Sequence, residues 1–156
     1  MELQNFKKLL IRNFKKKNFF ISDGNEKIYG YQIEKIINNK LQIIKKFNLK
    51  GNTIAILKNR CGSVYWVNLM IAYMLDFTIY PEINTNDIKK LYKNVIVFNG
   101  DEIKVEINKT KKNPKLKNFN IIFSSSGSTG EPKLILQNMA SLLKNTKSVL
   151  ETINFK

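Results

Sequence analysis

The sequence predicts an α/β fold, a mainly parallel sheet flanked by helices, and three observations carry that expectation. Apolar strand-like runs alternate with helical segments in the order β, α, β, α, β between Thr53 and Phe98, the pattern in which crossover helices join parallel strands. The runs are apolar throughout, as expected of strands covered on both faces. A later apolar run, Asn120 to Phe123, leads directly into a loop rich in serine and glycine.

Each element has its own local cause. Leu3, Phe6, Leu10 and Phe14 recur at helical spacing with Lys7, Lys8, Arg12 and Lys15 mostly off the stripe, which predicts a basic amphipathic helix docked on its own domain. Phe19 to Ile21 and Lys27 to Tyr29 flank Asp23-Gly24, a turn dipeptide that predicts a hairpin. A helix is expected from Tyr31 to Phe47, with Ile33, Ile36, Ile37, Leu41 and Ile44 on one face, and Asn48 to Gly51 ends it. Thr53 to Leu57 reads as a buried strand. Asn59 or Ser63 is the expected cap of the next helix, whose body from Tyr65 to Leu75 is apolar on nearly every side and is therefore expected to be buried. The aromatics Tyr65, Trp66 and Tyr73 are read as core.

Phe77 to Tyr80 is a short strand stopped by Pro81, Asn84 to Tyr92 a short polar helix, and Val95 to Phe98 another buried strand. Ile103, Val105 and Ile107 alternate as in a half-exposed strand. Thr110 to Lys117 is a polar linker around Pro114 and marks the boundary between residues 1–113 and residues 114–156. Beyond it follow the strand from Asn120, the Ser/Gly loop, a strand at Leu134 to Leu136, and a closing amphipathic helix from Met139 to Ile153.

Composition narrows the function classes. The 156 residues suit one domain, and a hydrophobic content of 43% is enough for a core. The formal charge of +15 suggests nucleic acid or membrane as a partner, yet only Arg12 and Arg60 among the 27 basic residues are arginine. Nucleic-acid readers favour arginine, whose planar fork pairs with phosphate and guanine. The abundant Lys, Asn, Ile, Phe and Tyr instead match a coding sequence rich in A and T, so no specific nucleic-acid partner is expected. Cys61 is the single cysteine and histidine is absent, which excludes an internal disulfide, a cysteine metal site, and histidine-based triads. The longest apolar stretch, Val64 to Leu75, is too short to span a bilayer, and the N-terminal residues lack the pattern of a signal peptide. A cytoplasmic protein is expected.

The Ser/Gly loop concentrates the chemistry. Phe123 to Lys133 reads FSSSGSTGEPK. Gly127 and Gly130 let the backbone turn tightly and present N–H groups to an anion. Ser124, Ser125, Ser126, Ser128 and Thr129 add hydroxyl donors, Pro132 stiffens the exit, and Lys133 supplies a positive charge. Only two residues separate the glycines and Leu134 follows Lys133, so this is not the P-loop of nucleoside triphosphatases. Nor does the loop open a helix as the dinucleotide fingerprint does.

Ser125 to Lys133, SSGSTGEPK, resembles the signature loop of the adenylate-forming ligases, the superfamily of acyl-CoA and aryl-CoA synthetases, luciferases and peptide-synthetase adenylation domains. Chance occurrence of its seven fixed positions at a given start is on the order of 10⁻⁸ or less. The resemblance runs over most of the chain from about Phe19, through Thr53 to Asn59, the apolar helix, and the strand closing at Pro81. Leu142, Leu143 and Asn145 are similar to the family's helix after the loop. Leu134 departs from a usual glycine and Met139 from a common histidine.

The resemblance implies the N-terminal part of the family's large domain. It also implies ATP as cosubstrate, with Ser125, Ser126, Gly127, Ser128, Thr129 and Gly130 donating to its phosphates and Lys133 neutralising charge. A carboxylic acid attacks the α-phosphorus, giving acyl-AMP and pyrophosphate, and the thiol of CoA or a carrier protein is the acceptor. The family's acidic magnesium ligand, ribose-binding aspartate and catalytic lysine have no match in these residues. The chain is therefore expected to be truncated mid-domain, with no complete catalytic set and no metal site of its own, and to lack activity alone unless a separate C-terminal fragment joins it. The alternative is a non-enzymatic basic module that binds nucleotide or polyanion.

Overall fold

Burial on alternate sides of β3, Ile54–Lys58, organises the structure. This computed structural model describes residues 8, 9, 11–24, 26–49, 52–58, 62–81, 88, 89, 92–111, 120–125, 133–138, 140–142, 144–146 and 148. Ile54, Ala55, Ile56 and Leu57 are all fully buried. Successive strand residues point to opposite faces, so β3 needs cover on both.

The strands are β1 (Phe20–Ser22), β2 (Lys27–Tyr29), β3, β4 (Thr78–Tyr80), β5 (Asn94–Asn99), β6 (Glu102–Ile107), β7 (Asn120–Ser125) and β8 (Lys133–Asn138). The two long helices, named here α1 and α2, are Gly30–Lys45 and Ser63–Met74. Strands β1 and β2 form a separate hairpin, and the other six make one mixed sheet in the order β6-β5-β3-β4-β7-β8. Pairs β3–β4, β3–β5 and β4–β7 are parallel. Pairs β5–β6 and β7–β8 are antiparallel. The architecture is thus α/β, with a parallel centre and an antiparallel strand on each side.

One face of the sheet presents Ala55, Leu57, Ile79, Ile96 and Phe98 to Ile33, Ile37 and Ile44 of α1 and to Val67, Ile71 and Ala72 of α2. The other presents Ile54, Ile56, Tyr80, Val95, Val97 and Ile122, joined by Ile88. Burying each such side chain contributes about 1.5–3 kcal/mol. Helix α2 connects β3 to β4 over the first face. The connection from β4 to β5, which carries the helical residues Ile88 and Lys89, returns over the second face to the opposite side of β3. Lys89 Nζ donates to Glu106 Oε1 at 2.8 Å, tying that connection to β6.

The helical residues 8, 9 and 11–14 end in Phe14, which is buried in the first core. Leu9 and Ile11 are exposed, so the described part of that helix packs mainly through its last turn. Helix α1 begins at Gly30, one residue before the expected start. Tyr29 N–H donates to Gln32 Oε1 at 2.8 Å, satisfying a donor at the helix entrance. Residues 140–142, 144–146 and 148 are helical, within the expected closing helix. Residues 84–87, 90 and 91 of the expected Asn84–Tyr92 helix lie outside the described residues, as do 112–117 of the linker.

Two expectations are corrected. Ser63 is the first residue of α2 rather than its cap, and Asn59 lies outside the described residues. Gly62 precedes the helix, and Ser63 N–H donates to Asp23 Oδ2 at 3.3 Å, so the β1–β2 turn supplies the acceptor. Asp23 also organises its own turn, where Oδ1 accepts from Glu26 N–H at 2.9 Å. The second correction concerns Trp66, which is 49% exposed and meets Tyr65 edge to face at 5.7 Å rather than entering the core. Tyr73 is buried as expected.

Lys40 sits on the apolar stripe of α1, one and two turns from Ile37, Ile33 and Ile44, and is itself buried. Its Nζ donates to Asn68 Oδ1 at 2.7 Å and to the Gly100 carbonyl at 2.8 Å. Asn68 Nδ2 donates to the same carbonyl at 2.9 Å. Gly100 adopts a left-handed φ of 58° in the two-residue turn between β5 and β6, a conformation that suits glycine. The cluster joins α1, α2 and the sheet. Burial pushes the Lys40 pKa down, and the Asp101 carboxylate at 3.9 Å opposes that shift.

Asn68→Leu, which removes one of the two hydrogen bonds that hold the Lys40 ammonium, is expected to lower unfolding free energy by about 1.5–3 kcal/mol in urea titrations. Lys40→Met, which leaves only Asn68 Oδ1 without a donor, should lower it by about 1–3 kcal/mol. The unfolded chain holds the Lys40 proton more tightly than the folded one. Its contribution to stability therefore rises with pH from the lowered folded pKa up to the ordinary 10.5. Denaturation series across that window should show a shallower rise in Lys40→Met.

Candidate functional site

The carboxyl ends of the parallel strands define a crevice. β3 ends at Lys58 and leaves over one face through α2, while β4 ends at Tyr80 and Pro81 and leaves over the other face. Adjacent strands whose connections part in this way open a cleft between them, where α/β proteins bind ligands. β7 runs parallel to β4, with Ile121 opposite Ile79. At the rise of an extended strand, its last residues carry it about 10 Å beyond the level of Tyr80. The Ser/Gly loop therefore leaves the sheet at the same carboxyl edge, one strand away from the crevice.

The β7–β8 register sets the mouth of that loop. Asn120 faces Asn138, and the pairing continues residue by residue until Ser125 faces Lys133. Ser125 closes β7, and Lys133 opens β8 with an exposed side chain. The two residues thus stand opposite each other where the loop emerges. The Ser125 side chain and the whole of Ser126, Gly127, Ser128, Thr129 and Gly130 lie outside the described residues. Ser124, half-buried, shares the strand face of buried Ile122. Both strands run longer than the sequence suggested, because the hairpin ladder extends pairing into the serines and through Gln137 and Asn138.

A groove of about 520 Å³ also lies at this end of the sheet, lined by Lys58, Lys89, Asn99, Asp101, Glu102 and Lys104 among others. These residues went unassigned in the sequence. The usable signal was their place, since Lys58 and Asn99 each end a buried parallel strand. Within it the Lys89 ammonium, followed by that of Lys104, holds the nearby Glu106 carboxyl below the ordinary carboxylate range. Among the described residues no group of three or more His, Cys, Asp and Glu side chains is placed to hold a metal ion. No helix among them is long and apolar enough to cross a membrane.

β8 carries three consecutive exposed apolar residues, Leu134, Ile135 and Leu136, at 39%, 50% and 49% exposure. It is the last strand in the sheet order, and an exposed apolar edge is prone to pair with other chains. No protein-family model matches this chain, and no curated protein matches it either.

Ile135→Lys places a charge in the middle of that edge and is expected to reduce self-association. Static light scattering over a concentration series should show a lower apparent mass for the variant, with an unchanged far-UV circular dichroism spectrum.

Proposed function

We propose that this chain is the N-terminal part of the large domain of an adenylate-forming acid ligase, in which the loop from Ser125 to Lys133 holds the phosphates of ATP. The observation that carries this reading is the SGSTGxPK pattern from Ser126 to Lys133, joined to strands at the carboxyl edge of the parallel centre of a mixed sheet. Backbone N–H groups at Gly127 and Gly130 and the hydroxyls of Ser125, Ser126, Ser128 and Thr129 serve the β- and γ-phosphates. Lys133, at the mouth of the hairpin, offsets the charge that grows on the departing pyrophosphate.

The reaction in the intact enzyme begins with attack of an acyl or aryl carboxylate on the α-phosphorus. The bond from that phosphorus to the bridging oxygen of the β-phosphate breaks, and acyl-AMP and pyrophosphate form. A thiol of CoA or a carrier protein then takes the acyl group and releases AMP. The loop contributes by positioning and electrostatics, the terms that dominate phosphoryl chemistry. Magnesium enters with ATP, and no acidic cluster among the described residues is assigned to it. The remaining catalytic groups belong to a further segment or a separate C-terminal fragment, and the setting is cytoplasmic.

ATP binding by the isolated chain is expected to be weak, because adenine and ribose contacts belong to the rest of the domain. Lys133→Ala should weaken it a further ten- to hundredfold by isothermal titration, the loss of one charge-assisted hydrogen bond of about 1.5–3 kcal/mol. Unchanged affinity in that variant, with strong salt dependence, would favour the second reading of a basic nucleotide- or polyanion-binding module without catalysis. Carboxylate-dependent pyrophosphate exchange is expected only when the chain is combined with the missing catalytic segment.

A further inference from the structure

A second surface lies where the N-terminal helical residues meet the β1–β2 hairpin and the start of α1. An open groove of about 700 Å³ there is lined by Phe14, Lys15, Lys16, Lys17, Tyr29, Tyr31 and Glu34. The lysines are held in a defined turn. Lys16 N–H donates to the Asn13 carbonyl at 3.0 Å, and Phe19 N–H donates to the Lys16 carbonyl at 3.1 Å. Gly30 N–H donates to the Phe19 carbonyl at 2.8 Å. A Cβ at Gly30 would collide with the Phe14 carbonyl oxygen, so glycine at this position lets the lysine turn approach α1.

Beside the lysines runs a row of exposed aromatic rings. Phe20 and Tyr29 face each other across the hairpin with ring centres 6.1 Å apart. Tyr29 and Tyr31 stack at 6.3 Å with only 12° between their planes. Tyr31 is 70% exposed. Lys27 Nζ lies 4.8 Å from the centre of the Phe20 ring. A coding bias toward lysine explains how many lysines the chain has. It does not explain three neighbouring exposed aromatic rings, two of them stacked, next to four of those lysines.

We propose that this groove binds single-stranded nucleic acid without sequence preference. Lys15, Lys16, Lys17 and Lys27 meet the phosphates, and the outer ring of Tyr31 takes a base on its face. Stacking needs an unpaired base, which duplex hides, so the aromatic row selects single strands. Lysine ammonium groups act as point charges and lack the fork that reads base edges, consistent with backbone-directed binding. Glu34, the one carboxylate among the described residues lining the groove, keeps phosphate away from that end and directs the strand toward the lysine turn. This proposal uses none of the residues of the ATP loop.

Fluorescence anisotropy of a labelled 12-nucleotide oligo(U), with the duplex of equal length as competitor, tests it. Oligo(U) is expected to bind more tightly than the duplex. Tyr31→Ala should weaken binding about tenfold, and Tyr31→Phe should retain it. The triple change of Lys15, Lys16 and Lys17 to Gln should reduce the slope of log affinity against log salt by about two. Lys133→Ala should leave oligo(U) binding intact, which separates this surface from the ATP site. Circular dichroism melting verifies that each variant folds. Equal binding by wild type and Tyr31→Ala would overturn the proposal in favour of undirected lysine electrostatics. Binding to vesicles containing phosphatidylserine with none to oligo(U) would also overturn it, in favour of a membrane surface.

Discussion

Two-sided burial of β3 is the constraint on which the rest of the structure depends. A strand whose Ile54, Ala55, Ile56 and Leu57 are all excluded from solvent cannot sit at an edge or face water. It requires a neighbour on each side, which β4 and β5 provide, and cover on each face. Cover comes from α1 and α2 on one side and from the connection bearing Ile88 on the other. Because α2 belongs to the chain leaving β3 and the Ile88 connection to the chain leaving β4, the connections separate at the carboxyl ends. The crevice is therefore a consequence of how the core is satisfied, and β7 adds the Ser/Gly loop beside it.

Polar contacts then fix elements that apolar packing alone would leave free to slide. Lys40, Asn68 and the Gly100 carbonyl lock both helices to the β5–β6 turn, with every donor–acceptor distance between 2.7 and 2.9 Å. Asp23 performs a similar task at the start of α2, where one carboxylate closes a hairpin turn and receives the first helical N–H. Lys89 and Glu106 hold the second-face connection. Each uses a charge where a hydrophobic contact would specify no register. A single buried charge left without its partner would cost more than the contact contributes. That asymmetry makes Lys40 and Asn68 a dependent pair.

The periodicity and order of elements were legible in the chain because burial leaves a local trace. Unbroken apolar runs marked β3 and β5, alternation marked β6, and the stripe Ile33, Ile37, Ile44 marked α1. The Ser/Gly loop stood out for another reason, since its serines, glycines and lysine are unusual residue types at close spacing. Lys40 was not legible as a core residue, although it falls on the stripe, because lysine usually marks the solvent face. The acceptor at the start of α2 was unreadable for a comparable reason. It comes from Asp23, forty positions earlier, and no local window contains both groups. Trp66 misled through composition, as an apolar helix with sheet and helix on two sides still has a third side in solvent.

The sequence by itself determined which segments become strand or helix, that they follow one another in an α/β order, and where serine, glycine and lysine crowd into one loop. Those properties follow from side-chain period, apolar runs and residue chemistry, all of which act over a few positions. Only the tertiary structure decided the strand order, the faces taken by each connection, and the pairing of Ser125 with Lys133 at the loop mouth. It alone placed Phe20, Tyr29 and Tyr31 in one row beside the lysine turn. These depend on contacts between residues distant in the chain, where closure and packing select one arrangement among several that share the same local preferences.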